Sequence, residues 1–114
     1  MRGLVVLLSL FATAAYAQDA PPKPPKIWNL TASVVVDLRL APAGGAAFGR
    51  NLALDDDDHD IGLDERLKLR DQAPGLYDAR IVLKDGRTCK AKGLKIEPGA
   101  IVSLEEKDLR DCAK

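Results

Sequence analysis

Residues 55–65, DDDDHDIGLDE, place seven carboxylates in eleven positions and hold the chain's single histidine, His59. Clustered carboxylate oxygens on a flexible loop are what calcium takes as ligands, so Asp55, Asp56, Asp57, Asp58, Asp60 and Asp64 are candidate metal donors. The EF-hand pattern does not fit. Counted from Asp56, the alternating acids Asp58 and Asp60 match, but Ile61 stands where the sharp turn needs glycine and Leu67 where the bidentate glutamate belongs. An unclassified, weak cation site is what remains. A transition-metal centre would need more imidazole or thiolate than His59 alone supplies. The competing reading is a solvated loop, because adjacent acids repel one another, resist burial and disfavour strand.

Other reactive residues are sparse. Nucleophilic catalysis needs an activated hydroxyl or thiol with a base and an orienting group, and Ser33, Ser103 and the threonines have only His59, in a polar run, to call on. Acid–base catalysis by the aspartates needs surroundings that separate their pKa values, which such a run does not supply. The expectation is therefore a protein that is not an enzyme, with no cofactor other than a candidate calcium ion. A cationic counterpart lies downstream: Lys84, Arg87, Lys90, Lys92 and Lys95, with Asp85 the only acid among them. This basic ribbon is a candidate partner-binding surface, for the acidic loop of the same chain or for an outside protein or cell-envelope component.

The first residues bound where such groups would act. MRGLVVLLSLFATAAYAQDA carries Arg2, an apolar run from Leu4 to Ala15 and a small-x-small site at Ala15-Tyr16-Ala17. That is the layout of a secretory signal peptide over residues 1–17, too short in its apolar run to span a bilayer. The chain has seventeen basic and seventeen acidic residues, and loss of the signal removes Arg2 alone, leaving a net charge of about −1 with His59 neutral. Such a balance excludes general nucleic-acid binding, which needs excess cations to displace counterions. The expected location is periplasmic or secreted, with no transmembrane segment after processing. In that compartment the pair Cys89 and Cys112 reads as a disulfide, worth about 3 kcal/mol through the loop it closes.

The scaffold is legible from periodicity. Pro21, Pro22, Pro24 and Pro25 make residues 18–26 a proline-rich linker, and a single domain is expected over 27–114. In IWNLTASVVVDLRLAP the alternation sends Val34, Val36, Leu38 and Leu40 one way and Val35, Asp37 and Arg39 the other, a strand that Pro42 and the glycines after it end. LDERLKLR alternates again, with Leu63, Glu65, Leu67 and Leu69 on one side, and Pro74-Gly75 fits the centre of a type II turn. Asp85-Gly86 marks a hairpin. A two-residue loop would set lysines on the core side, whereas a three-residue loop, Lys84 to Gly86, pairs Ile81 with Cys89 and Ala79 with Ala91. In that register Asp78, Arg80, Lys90 and Lys92 share the solvent face, Asp78 opposite Lys92. Pro98-Gly99 turns the chain into AIVSL, and Ser103 with Glu106 matches a capping box for one helical turn near the C-terminus. The fold class is all-β, a small antiparallel β-sandwich or partly open barrel closed by one disulfide.

In their order, Asn29-x-Thr31, the Pro42–Ala46 loop, Phe48-Gly49-x-Asn51, YDAR at Tyr77–Arg80, DGRTC at Asp85–Cys89 and EKDLxxC from Glu106 to Cys112 resemble a loose group of small exported, mostly uncharacterised bacterial β proteins. Where those carry Trp-Gly, this chain has Phe48-Gly49. The resemblance implies a single β domain outside the cytoplasm and brings no catalytic residue with it. Asn29-Leu30-Thr31 also satisfies the glycosylation sequon, but reads as the start of a strand.

Overall fold

Aliphatic side chains recurring every second residue build two sheets, seen in a computed structural model that describes residues 22–114. The expected signal peptide, and the linker as far as Pro21, lie outside those residues. β1 (Lys26–Leu30), β3 (Arg66–Lys68) and β6 (Ile101–Glu105) form a three-stranded sheet in the order β3-β1-β6. β2 (Val35–Pro42), β4 (Gly75–Leu83), β5 (Thr88–Ile96) and β7 (Arg110–Ala113) form a four-stranded sheet in the order β2-β4-β5-β7. The helical content of the described residues is two 3-10 turns, Leu52–Asp55 and Glu106–Asp108. Ile27, Leu67 and Leu104 of the first sheet join Leu38, Ile81, Leu83, Cys89 and Ile96 of the second in one buried cluster. Each fully buried Leu or Ile there contributes about 2 kcal/mol of transfer free energy. The class is the expected one, with a single departure: β1 and β6 run parallel, Ile27 beside Val102.

The hairpin register is the one that keeps lysine out of the core. Ala79 pairs with Ala91 and Ile81 with Cys89, and Gly86 at φ 101 completes a three-residue loop closed by Leu83 N–H on Arg87 O at 2.8 Å. Pro98-Gly99 turns as expected, with Gly99 at φ 77 and Ala100 N–H on Glu97 O. Cys89 and Cys112 are joined in a disulfide between β5 and β7.

Elsewhere the local pattern is overruled. The first alternating stretch splits at residues 31–34 into strands of different sheets, and a bulge between Val35 and Asp37 shifts its phase. Val35 is buried with Leu38 and Leu40, while Val34 and Val36 are half-buried, because one extra residue reverses a period of two. Only Arg66–Lys68 of LDERLKLR is strand. Leu67 and Leu69 are buried, but Leu63 is 59% exposed beside Asp64, which takes a left-handed φ of 62°. The turn before β4 centres on Arg70-Asp71, and Gly75 opens the strand, so Pro74-Gly75 is not a type II turn. The C-terminal capping box uses Glu105 and Asp108 in place of Ser103 and Glu106, and the turn leads into β7, which periodicity did not reveal. The folded part also reaches further back than Ile27: Lys23 O and Pro25 O accept hydrogen bonds from Gly99 and Leu69, both 2.8 Å.

Asn29 explains the corner between the sheets. It is fully buried; its Nδ2 donates to Ser33 O, Ile61 O and Gly62 O at 3.0, 2.9 and 3.1 Å, and its Oδ1 accepts from the N–H and hydroxyl of Thr31. The Asn-x-Thr triplet thus satisfies backbone groups where the chain leaves one sheet for the other, and removing it would orphan buried carbonyls at about 1–3 kcal/mol each. A sequon asparagine with no exposed surface is also no acceptor for a glycan in the folded chain.

Candidate functional site

The acidic stretch follows the Leu52–Asp55 turn, which Asn51 caps by accepting from Ala53 N–H at 2.9 Å. Asn51 also bonds the bulged edge of β2, accepting from Leu38 N–H at 3.0 Å and donating to Val36 O at 3.2 Å. Ile61 then bridges to Val35, which fixes both ends of the acidic loop against the sandwich. Of the six aspartates expected as donors, Asp56 and Asp60 come together with a third group, Glu65, their carboxylate oxygens all within 4.8 Å of one another. The hydrogen bond that Glu65 shares with Asp56 raises its carboxyl above the ordinary glutamate range, while Gly62 N–H, 2.6 Å from Oε1, pulls the other way. Asp55 is committed to Arg50 at 2.7 Å, and Asp64 Oδ1 accepts from Trp28 Nε1 at 2.8 Å. Asp57, Asp58 and His59 are exposed.

The loop does not meet the basic ribbon. Among the described residues its ion pair is to Arg50, and Asp55, Asp56 and Asp57 share a cleft of about 230 Å³ with Arg66, Lys68 and Arg70. Cations from the adjoining strand β3 lie closer along the chain than those of β5, so local closure wins. The ribbon itself divides. Arg87 is held by Glu106 at 2.8 Å and by Asp85 at 3.0 Å, and Glu106 Oε2 also accepts from Ala32 N–H, tying hairpin, C-terminal turn and corner together. Lys95 stands 3.9 Å from Glu97, and Lys84 is exposed at the hairpin tip.

Lys90 and Lys92 belong to a different arrangement. Arg39 on β2 stands opposite Arg80 on β4, Arg80 opposite Lys90 on β5, and Lys90 opposite Arg110 on β7. Four cations thus line up across four strands of one sheet's outer face, spaced by about 4.8 Å per strand and spanning roughly 14 Å. Arg39 has a partner in Asp37 at 2.9 Å; Arg80, Lys90, Lys92 and Arg110 form no ion pair among the described residues.

Beside the row the Pro42–Gly49 loop folds back over the sheet. Gly44, at φ 83, lets the chain turn so that Gly45 N–H reaches Pro42 O at 2.8 Å. Asp78 accepts from Gly44 N–H at 2.9 Å and from Gly93 N–H at 3.1 Å, and these two bonds hold its carboxyl below the ordinary aspartate range. Gly93 sits in a bulge of β5, so Lys92 and Gly93 together face Asp78 in place of the simple Asp78–Lys92 pair. Between loop and sheet lies a groove of about 160 Å³ lined by Gly45, Ala46, Phe48, Asp78, Lys90 and Lys92.

No protein-family model, curated protein or solved structure matches the chain. The hairpin register already placed Arg80 and Lys90 side by side. Arg39 and Arg110 were missed as members of the row, since only strand order brings them there.

Proposed function

We propose that this protein is an exported, non-enzymatic β module that binds an anionic component of the cell envelope through the outer face of its four-stranded sheet. The row Arg39, Arg80, Lys90, Arg110 carries this reading. Like charges directly opposite on neighbouring strands are destabilising, so a row of four is a standing cost that an anionic partner relieves. Arginine adds bidentate geometry for carboxylate and phosphate. Export rests on the signal-peptide layout of residues 1–17, and the Cys89–Cys112 disulfide is compatible with it. No helix among the described residues is long and apolar enough to cross a membrane.

Polyglutamate titrated into the protein should bind with an affinity that falls as salt rises. The double substitution Arg80→Glu, Lys90→Glu should weaken it at least tenfold. Salt-independent binding, or equal affinity in the variant, would overturn the reading.

A second reading, weak calcium binding in the acidic loop, is favoured by one observation. Carboxylate oxygens of Asp56, Asp60 and Glu65 converge, and the hydrogen bond with Asp56 raises the Glu65 carboxyl; a divalent cation would take the place of the proton that these two acids share.

A further inference from the structure

We infer that the groove between the Pro42–Gly49 loop and β4–β5 receives a uronic acid residue of an acidic polysaccharide, whose neighbouring carboxylates run along the cation row. The inference rests on the polyanion reading above and narrows it to one chemistry. The groove is chemically mixed. Phe48 offers an aromatic face, Lys90 and Lys92 offer ammonium groups, and Asp78 offers a carboxylate. A polyanion that carries no hydroxyls has no donor to offer Asp78, whose carboxyl the Gly44 and Gly93 N–H groups hold below the ordinary aspartate range. A sugar acid meets all three at once: C–H groups of the ring lie on Phe48, hydroxyls donate to Asp78, and the carboxylate pairs with Lys90 or Lys92.

Both Asp78 oxygens already accept one backbone N–H, from Gly44 and from Gly93, and each retains acceptor capacity for a hydroxyl. Asp78 is also the positioning residue for the loop that carries Phe48. The polymeric nature of the ligand follows from Lys90, which lines the groove and also stands in the row between Arg80 and Arg110. A chain seated by one ring in the groove therefore meets further cations on neighbouring strands.

The test compares three probes on the purified protein by calorimetry: polygalacturonate, polyglutamate and uncharged dextran. Polygalacturonate should bind more tightly than polyglutamate, and dextran should not bind measurably. Phe48→Ala should weaken polygalacturonate at least tenfold while changing polyglutamate less than twofold. Ala46→Trp, which fills the groove from an exposed position, guards against a folding defect at Phe48 and should have the same selective effect. Equal affinity for the two polyanions, with neither substitution selective, would overturn the sugar site and leave the charge-row reading standing. Failure of both polyanions to bind would overturn the two together.

Discussion

Glu65 concentrates the chemistry of the acidic loop in one side chain. Its carboxyl is raised by the bond to Asp56, so its stabilising contribution is complete below the ordinary glutamate pKa of about 4.3 and is lost as pH rises through the higher folded value. Glu65→Gln keeps an oxygen for Gly62 N–H and gives Asp56 a donor. The variant should match the wild type at pH 4 and be the more stable of the two at pH 7, measured by urea midpoint. If calcium binds here, millimolar calcium should shift the emission of Trp28, whose indole donates to Asp64, in the wild type and not in the variant. The remaining perturbed acids have the opposite sign. Arg50 beside Asp55, Arg87 beside Asp85 and Glu106, and the backbone donors to Asp78 hold these carboxyls low, so their contribution is present above about pH 4 and is lost as pH falls toward the lower folded values.

At the scale of elements, the four-stranded sheet has two faces of different chemistry. Leu38, Ile81 and Cys89 line up inward, and one residue away Arg39, Arg80 and Lys90 line up outward, because a period of two leaves no other choice. Lys90→Glu puts a carboxylate between Arg80 and Arg110 and should raise stability by about 0.5 kcal/mol, or a few degrees in Tm, while polyglutamate binding falls. A lower Tm would show that the row costs the fold nothing. The hairpin of β4 and β5 was readable because Asp85-Gly86 and the placement of lysines admit one register only. The phase of β2 was not, because the partners of the bulged segment, Asn51 and Ile61, lie 13 or more positions away. Leu63 illustrates the same limit: it fits the alternation of LDERLKLR, yet the left-handed Asp64 turns the chain before β3 begins.

For the molecule as a whole, the disulfide matters twice. β7 is a four-residue edge strand, exposed throughout, and Cys112 ties it to the buried Cys89. Cys112→Ser should cost about 3 kcal/mol, accelerate amide exchange across residues 110–113 and weaken polyglutamate binding, because Arg110 leaves the row. Loss of stability without faster exchange in β7 would separate the two roles. Charge is also distributed at this scale: in a chain near neutrality the acidic loop lies beside Arg50 and the cations of residues 66–70, while the row Arg39, Arg80, Lys90 and Arg110 crosses the other sheet's outer face. By itself the sequence determined what depends on neighbours a few residues apart: the β class, the hairpin register, the turn at Pro98-Gly99, the pairing of the two cysteines and the polarity of the acidic loop. Tertiary structure alone decided which strands lie side by side. That choice placed Arg39 and Arg110 in line with Arg80 and Lys90, set Phe48 and Asp78 in one groove and brought Glu65 to Asp56. Strand order is set by burial of the whole apolar surface at once, and no window of sequence contains that sum.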